Sequence, residues 1–190
     1  MRKNTPNKVL LDANVIYSSA IRDILLNLAQ ANLFEPKWSA KIHEEWTKNL
    51  LFKRSDLSKS KVERVVQNMN RAFENANVED YFDLIPNLQL PDPDDRHVLA
   101  AAIKGKAKII TTANLKDFPQ DYIRQFGIEV QHPDDFIMEL LNEHPEKVLF
   151  AFQSQVKSLK NPPLRAEEVL NSLAKSGLEK TVVLLRKMIA

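Results

Sequence analysis

Residues 92–119 read DPDDRHVLAAAIKGKAKIITTANLKDFP, and this stretch decides the fold class. It predicts a helix that begins at Asp94 or Asp95 and ends near Gly105, followed by the β-branched strand KIITT. A continuous apolar run of this kind is typical of a strand that is buried on both faces, as in a parallel sheet. The run VLLDANVIY at residues 9–17 predicts a second such strand.

Helical segments separate the predicted strands. Serines precede three of these segments at positions suited to an N-cap: Ser18 or Ser19, Ser39, and Ser58 or Ser60. The proline-rich acidic stretch 84–93 predicts a loop, and residues 128–131 predict a third strand. Strands that alternate with helices of about 10–15 residues indicate βαβ units. The sequence therefore predicts an α/β fold with a central parallel sheet.

The last third of the chain follows a helical pattern throughout. We expect residues 133–190 to form a helical C-terminal extension to a domain that spans residues 1–132. Its apolar stripes recur at helical spacing, and Pro162 and Pro163 interrupt the chain. The stripes either pack on the first domain or form an interface for a partner or a second copy. We favour packing, because apolar stripes at this spacing are more often core.

The composition excludes several classes of site. The chain has 190 residues and a net charge of +2, which argues against a protein that coats nucleic acid by bulk basicity. It has no cysteine, which excludes disulfide, thiolate-zinc and iron–sulfur chemistry. Its three glycines lie too far apart for a phosphate-binding loop. The first apolar run stops at Asp12, too early for an export signal or a membrane span, and this predicts a cytoplasmic protein.

The distribution of charge is more informative than its total. Residues 41–71 hold eight basic side chains against four acids, and residues 76–95 hold six acids and no base. A basic segment beside an acidic cluster suits a metal-dependent enzyme that acts on a polyanion. The alternative is that both segments are solvated surface, which is the more common fate of charged runs.

Two acids fall where strands end. Asp12 interrupts an apolar strand, and burial of an acid there is costly unless it is paired or bound to a cation. Asn14 is close enough in sequence to hold it by hydrogen bonding. Asp117 follows the strand KIITT, with Thr112 and Asn114 near it. Ligand sites form at the carboxyl ends of parallel strands, so these residues are candidates for one site; the alternative is a helix cap at Asp12 and a polar turn at Asp117.

Two further acids belong to helices. Asp95 opens the alanine-rich helix, where an acid is a common and stabilising N-cap. Glu44 and Glu45 lie on the second helix and point to different faces. Glu45 precedes Trp46, which the helical pattern turns inward, but periodicity alone does not choose between the two glutamates.

The order strand-Asp, helix-Glu, helix-start Asp, strand-end Asp resembles that of the PIN-domain family over residues 9–131. The segments that carry the resemblance are VLLDANVIYSSA, WSAKIHEEWTKNL, DPDDRHVLAAAIKGKAKIITTANLKDFP and the strand before HPDDF. The chain is most similar to the VapC-like branch, whose members have a long helical C-terminal tail. The resemblance implies a three-layer α/β/α fold with a central parallel sheet.

The resemblance also implies a site. Asp12, Glu45 and Asp95 match the first three family acids, and Asp117 matches the fourth in relatives that have an asparagine where Asn114 stands. Many relatives have the acid at the position of Asn114 instead, and fewer full charges are compatible with one resting metal ion rather than two.

The implied function is that of a metal-dependent endoribonuclease, often the toxin of a toxin–antitoxin pair. We expect Asp12, Asp95 and Asp117 to bind Mg²⁺ or Mn²⁺, with Glu45 binding the ion through water or orienting the nucleophile. Asn14, Thr112 and Asn114 would support these ligands. The implied partners are an RNA substrate, an antitoxin protein and a second copy in a homodimer, with no membrane.

Positive side chains would hold the RNA backbone, and the candidates are Lys48, Lys53 and Arg54. The main rival is a non-catalytic PIN fold that serves as an RNA- or protein-binding platform. A zinc hydrolase is disfavoured, because the sequence HEEWT at His43 lacks the second histidine of a zinc motif. The remaining histidines, His97, His132 and His144, lack ligand spacing, and we expect them at the surface or at helix ends.

Overall fold

The computed structural model describes residues 6–189; residues 1–5 and 190, at the two ends of the predicted domains, lie outside the described part. Within residues 6–189, four parallel strands form one sheet: β1 (Lys8–Leu11), β2 (Glu35–Lys37), β3 (Ile109–Thr111) and β4 (Glu129–Gln131). Their order across the sheet is β2-β1-β3-β4. Leu11 pairs with Thr111, so β1 and β3 end at the same edge of the sheet.

The α-helices of the described chain follow in sequence: α1 (Ala13–Tyr17), α2 (Ser19–Gln30), α3 (Ala40–Lys53), α4 (Lys59–Ala72), α5 (Arg96–Lys104), α6 (Gln120–Ile123), α7 (Pro133–Glu143), α8 (Pro145–Ser158), α9 (Ala166–Lys175) and α10 (Glu179–Ile189). Short 3₁₀ helices lie between them: Phe82–Asn87, Pro93–Asp95, Leu115–Asp117 and Arg124–Phe126. Among residues 6–189, no helix has the length and apolar character needed to cross a membrane.

Both faces of the sheet are covered by helices. Val9, Leu10 and Leu11 point alternately to the two faces, and all three are fully buried. Helix α5 packs on β1 and β3, and α2 packs on β2. The predicted α/β/α fold with a central parallel sheet is therefore confirmed, together with the C-terminal helices.

Two local expectations were wrong, and one strand was missed. The first strand ends at Leu11 rather than at Tyr17, because the Asp12 carboxylate accepts a hydrogen bond from the Ala13 N–H and its carbonyl accepts from two residues of α1. The stretch 84–93 is not only a loop, since 3₁₀ turns lie at both of its ends. Strand β2 was not predicted at all; it is a three-residue edge strand that contains a proline.

The predicted helix starts are confirmed at the first serine of each alternative. The hydroxyls of Ser18, Ser39 and Ser58 each accept a hydrogen bond from a backbone N–H three residues later. Each bond satisfies a donor that the first turn of a helix leaves free.

The C-terminal helices pack against the α/β part, as their apolar stripes predict. Helices α8 and α9 contact α2. The amide of Gln155, a buried residue of α8, donates to the carbonyl of Ala20 at 3.3 Å, and the hydroxyls of Ser18 and Ser176 lie 3.2 Å apart. The buried Asp134 carboxylate of α7 accepts hydrogen bonds from two backbone N–H groups at the start of α10. Apolar packing therefore holds the C-terminal helices on the α/β part, and these hydrogen bonds fix their positions.

Candidate active site

Asp12 is the most tightly held acid of the predicted site. It follows β1, and its backbone N–H donates to the Thr111 carbonyl at 3.1 Å. One carboxylate oxygen accepts from the Ala13 N–H at 2.6 Å. The other accepts from the Asn14 amide at 2.6 Å and from the Thr112 hydroxyl at 2.7 Å. The side chain thus caps α1 and joins a buried polar network at the same time, so both of its predicted roles are structurally possible.

Burial raises the pKa of Asp12, and hydrogen bonds from Thr112 and Ala13 oppose that rise. The nearby charge of Glu45 raises the pKa of Asp12 further. Asp12 is only 4% exposed. A buried carboxylate with a second carboxylate close to it is a group that a cation would stabilise.

Asn14 and Thr112 connect the two strand ends. The Asn14 amide nitrogen also lies 3.0 Å from the Thr112 hydroxyl, and its oxygen accepts from the Ala113 N–H at 2.9 Å. The Thr112 hydroxyl accepts from the Asn114 N–H at 3.0 Å. The supporting positions predicted for Asn14 and Thr112 therefore agree with their contacts to Asp12.

Asp95 lies at the start of α5 but does not cap it. Its side chain makes no capping hydrogen bond, whereas Asp92 accepts from the Asp94 N–H at 2.9 Å and caps the preceding 3₁₀ turn. The predicted start of the helix is confirmed, because Asp95 occupies the N-cap position of α5, but the expected capping hydrogen bond from its side chain is not formed. Burial, then the charges of Asp12, Asp92 and Asp117, raise the pKa of Asp95 to about 7.

Glu45, and not Glu44, lines the same cleft as Asp12 and Asp95. One Glu45 carboxylate oxygen lies 2.8 Å from Nε2 of His97. Glu44 is exposed and pairs with Lys41 at 3.1 Å. A cleft of about 430 Å³ brings Glu45 together with Asp12 and Asp95, between α1, α3 and the start of α5.

Asp117 and Asn114 lie beside this cleft rather than in it. The Asn114 amide donates to the Asp117 carboxylate, and both are partly buried at the 3₁₀ turn after β3. Asp117 is not among the described residues that line the cleft, but its charge raises the pKa of Asp95. Within residues 6–189, no three Asp, Glu or His side chains stand together in an arrangement that would hold a metal ion.

The profile of the PIN domain matches residues 8–116 of this chain. The chain belongs to the PIN domain family. A second profile, described as the VapC50 C-terminal domain, matches residues 133–187. "Putative ribonuclease VapC50" of Mycobacterium tuberculosis is 38% identical over 79 residues, which cover 42% of this chain and 47% of that protein. The chain thus spans about half the length of this curated relative. No solved structure matches it.

The resemblance to VapC-like PIN proteins with a C-terminal extension is confirmed by these two matches and by the relative. In this PIN domain, the predicted acids Asp12, Glu45 and Asp95 line one cleft at the carboxyl edge of the sheet. This is the edge at which parallel sheets place ligand sites.

The three basic residues predicted to hold RNA differ in their surroundings. Lys53 lines the cleft, and its ammonium lies 5.4 Å from the centre of the Tyr17 ring. Lys48 lines an adjoining groove that shares Glu45 and Asp94 with the cleft. Arg54 is exposed and is paired through two 2.7 Å hydrogen bonds with Asp56. The PIN domain therefore presents Lys48 and Lys53 beside the acids, while the Arg54 charge is already matched.

Two histidines are buried, His43 and His97. The expected helix-end position of His97 is confirmed, but its side chain is not at the surface. His97 is 7% exposed in the first turn of α5. His43 is 5% exposed, its Nδ1 accepts from the Trp46 indole at 2.9 Å, and burial lowers its pKa to about 4. The burial of His97 could have been found in the sequence. The residues that follow it, VLAAA, give this part of the helix no polar face, so a residue next to them is expected to be buried. His132 caps α7 and His144 is exposed, as predicted.

Proposed function

We propose that this PIN protein is a divalent-metal-dependent endoribonuclease that hydrolyses RNA phosphodiester bonds. The observation that carries the proposal is the buried Asp12 carboxylate, held by three hydrogen bonds in a cleft that Asp95 and Glu45 also line. Structural carboxylates are normally paired with a basic group when they are buried. Here Asp12 and Asp95 have the basic neighbour His97, but the acids around them outnumber it, so a bound cation accounts for their proximity.

The donor set fits Mg²⁺ or Mn²⁺. Carboxylate oxygens are hard ligands, and Mg²⁺ uses one or two protein carboxylates while it keeps several waters. Asp12 and Asp95 would bind the ion directly, Asp117 would complete the side next to Asn114, and Glu45 would act through water. Such an ion supplies an activated water and offsets the charge of the phosphate when it is bound. Because residues 6–189 hold no three-residue cluster arranged for a metal ion, we expect the bound ion to keep most of its waters.

The other residues of the cleft would bind and orient the substrate. The Lys53 and Lys48 ammonium groups lie where they would attract backbone phosphates toward the acids. Asn14 and Thr112 fix the Asp12 carboxylate, so it would need little reorganisation when RNA binds.

We also propose that the protein is the toxin of a type II toxin–antitoxin pair and acts in the cytoplasm. Support comes from the match of residues 133–187 to the VapC50 C-terminal domain and from the relative named VapC50. A cognate antitoxin and a second copy in a homodimer are the partners that belong to this proposal.

Cleavage of end-labelled RNA by the purified chain tests the nuclease proposal. We expect cleavage with Mg²⁺ or Mn²⁺, no cleavage with EDTA, and a Mn²⁺-dependent rise in melting temperature. Asp12→Asn should abolish both effects. Asp121→Asn is a matched control, because Asp121 is fully exposed on α6 and makes only a 3.9 Å contact with Arg124. RNA binding without cleavage under any of these conditions would instead indicate the non-catalytic platform.

A further inference from the structure

We propose that His97 is a positioning residue that holds the Glu45 carboxylate toward Asp12 and Asp95. This inference rests on the proposed function, because it assigns the residue that keeps one of the proposed acidic groups in place. His97 and Glu45 come from different helices, α5 and α3, and meet at 2.8 Å between Nε2 and Oε1. The side chain of His97 is 8% exposed and that of Glu45 is 31% exposed.

The ring of His97 has unused hydrogen-bonding capacity. Both of its nitrogens are buried, and among residues 6–189 neither has a well-aligned hydrogen-bond partner, even though Nε2 is close to Glu45. The distance between Nε2 of His97 and Oε1 of Glu45 is therefore short, but the two groups are poorly aligned for a hydrogen bond. Buried polar atoms are nearly always paired, and contacts within active sites are often misaligned until the site is loaded. A small rotation of the ring or the carboxylate would turn this contact into a hydrogen bond, with Nε2–H as the donor.

Glu45 has a competing set of partners on its own helix. Lys41 and Lys48 lie one turn before and one turn after it on α3, and both line the groove that adjoins the cleft. Either ammonium would draw an unrestrained Glu45 carboxylate outward, away from Asp12. Lys41 already pairs in this way with Glu44. A donor on the inner side is what keeps Glu45 in the cleft, and His97 is the group placed there.

Two amide substitutions of His97 distinguish a role in positioning Glu45 from a role in packing alone. Glutamine places its amide nitrogen near the position of Nε2, whereas asparagine is one bond shorter and does not reach Glu45. His97→Gln and His97→Asn are both polar substitutions at the same buried position, so they form a matched pair. Melting temperatures in EDTA would verify that both variants are folded.

The test is Mn²⁺ affinity, measured by calorimetry without RNA, together with single-turnover cleavage. We expect His97→Asn to weaken Mn²⁺ binding about 10-fold, as loss of an outer contact to a metal ligand does, and His97→Gln to stay near the wild type. The cleavage rate of His97→Asn should fall with little change in RNA affinity, since the lysines remain. Glu45→Gln should weaken Mn²⁺ binding similarly, and the double variant His97→Asn/Glu45→Gln should be no weaker than Glu45→Gln alone.

Three results would overturn the role of His97. The first two are equal Mn²⁺ affinity and cleavage in His97→Asn and the wild type, and additive losses in the double variant. Equal losses in the glutamine and asparagine variants would also contradict it, because they would indicate packing alone. Failure of the proposed function is distinguishable from all of these, since in that case the wild-type chain itself would neither bind Mn²⁺ nor cleave RNA.

Discussion

The Thr112 hydroxyl lies 2.7 Å from Oδ2 of Asp12, although 100 residues separate the two positions. The parallel register brings them together: Leu11 pairs with Thr111, and the chain leaves both strands at the same edge. The same hydroxyl accepts from the Asn114 N–H and lies 3.0 Å from the Asn14 amide. One buried side chain therefore joins the loop after β3 to the acid after β1.

Loss of this hydroxyl should destabilise the protein. Thr112→Val keeps the shape of the fully buried side chain but leaves the Asp12 carboxylate without one donor, and we expect the free energy of unfolding to fall by about 1–3 kcal/mol. Thr112→Ser keeps the hydroxyl and should recover most of the loss. Urea denaturation measures both. A valine variant as stable as the wild type would mean that the bond is not formed.

The shifted pKa of Asp95 predicts a pH dependence of stability in EDTA. The folded-state pKa is about 7 against 3.8 for the unshifted group, so the folded protein binds the proton more tightly than the unfolded chain. The stability that this protonated carboxyl group contributes to the folded state is complete below pH 3.8 and is lost as the pH rises toward 7. Asp95→Asn removes the carboxylate, so its melting temperature should fall less between pH 5 and pH 8 than that of the wild type. Parallel curves for the two proteins would contradict the shift.

Lys53 and Arg54 should contribute unequally to RNA binding. Lys53 lines the cleft, whereas two hydrogen bonds to Asp56 already engage the Arg54 guanidinium. We expect Lys53→Gln to weaken RNA affinity and to lower the slope of log affinity against log salt by about one unit. Arg54→Gln serves as the neighbouring control and should change the slope less. Fluorescence anisotropy over a salt series measures both slopes. Equal slopes for Lys53→Gln and Arg54→Gln would mean that Lys53 has no special contact with the RNA backbone.

Asp134 should be important for the C-terminal helices. Its carboxylate is buried and accepts from the backbone N–H groups of Lys180 and Thr181, each at 2.9 Å. Asp134→Ala should lower the free energy of unfolding by about 2 kcal/mol, because it leaves the first turn of α10 without its acceptor.

The neighbouring acid provides a matched control for this prediction. Asp135 forms an exposed pair with the Lys180 side chain, and exposed pairs contribute little to stability. Asp135→Ala should therefore unfold at nearly the same denaturant concentration as the wild type. Similar losses in the two variants would indicate a general effect of charge on α7 rather than a helix cap.

The sequence predicted the strand-end acid of the site better than the helix-start acid. Asp12 stands out because an acid inside an apolar strand has few explanations, and its contact with Asn14 is the one that was expected. Its contact with Thr112 was not predicted, since Thr112 was expected beside Asp117. Asp95 was expected to cap its helix. Asp95 does occupy the N-cap position of α5, but its side chain makes no capping hydrogen bond, whereas Asp92 caps the 3₁₀ turn that precedes the helix. The sequence DPDD does not reveal that turn. The roles of all the candidate acids in metal binding stay predictions.

Two features were missed for different physical reasons. Strand β2 has three residues, Glu35–Lys37, and a proline in the middle, so it lacks both the length and the pattern of a strand; its parallel pairing with β1 creates it. His97 was expected at the surface or at a helix end; it lies in the first turn of α5, and its burial was missed, although α5 is buried along almost its whole length.

Helix α2 contacts the sheet at β2 and the C-terminal helices at α8 and α9. Five side chains of α2 are buried, so this one helix packs against both the sheet and the C-terminal helices. Proteolytic nicking between α8 and α9 should leave two fragments that stay associated, because each retains apolar surface that only the other covers. We expect such a nicked protein to elute from a sizing column as one species, and the isolated 1–132 fragment to aggregate.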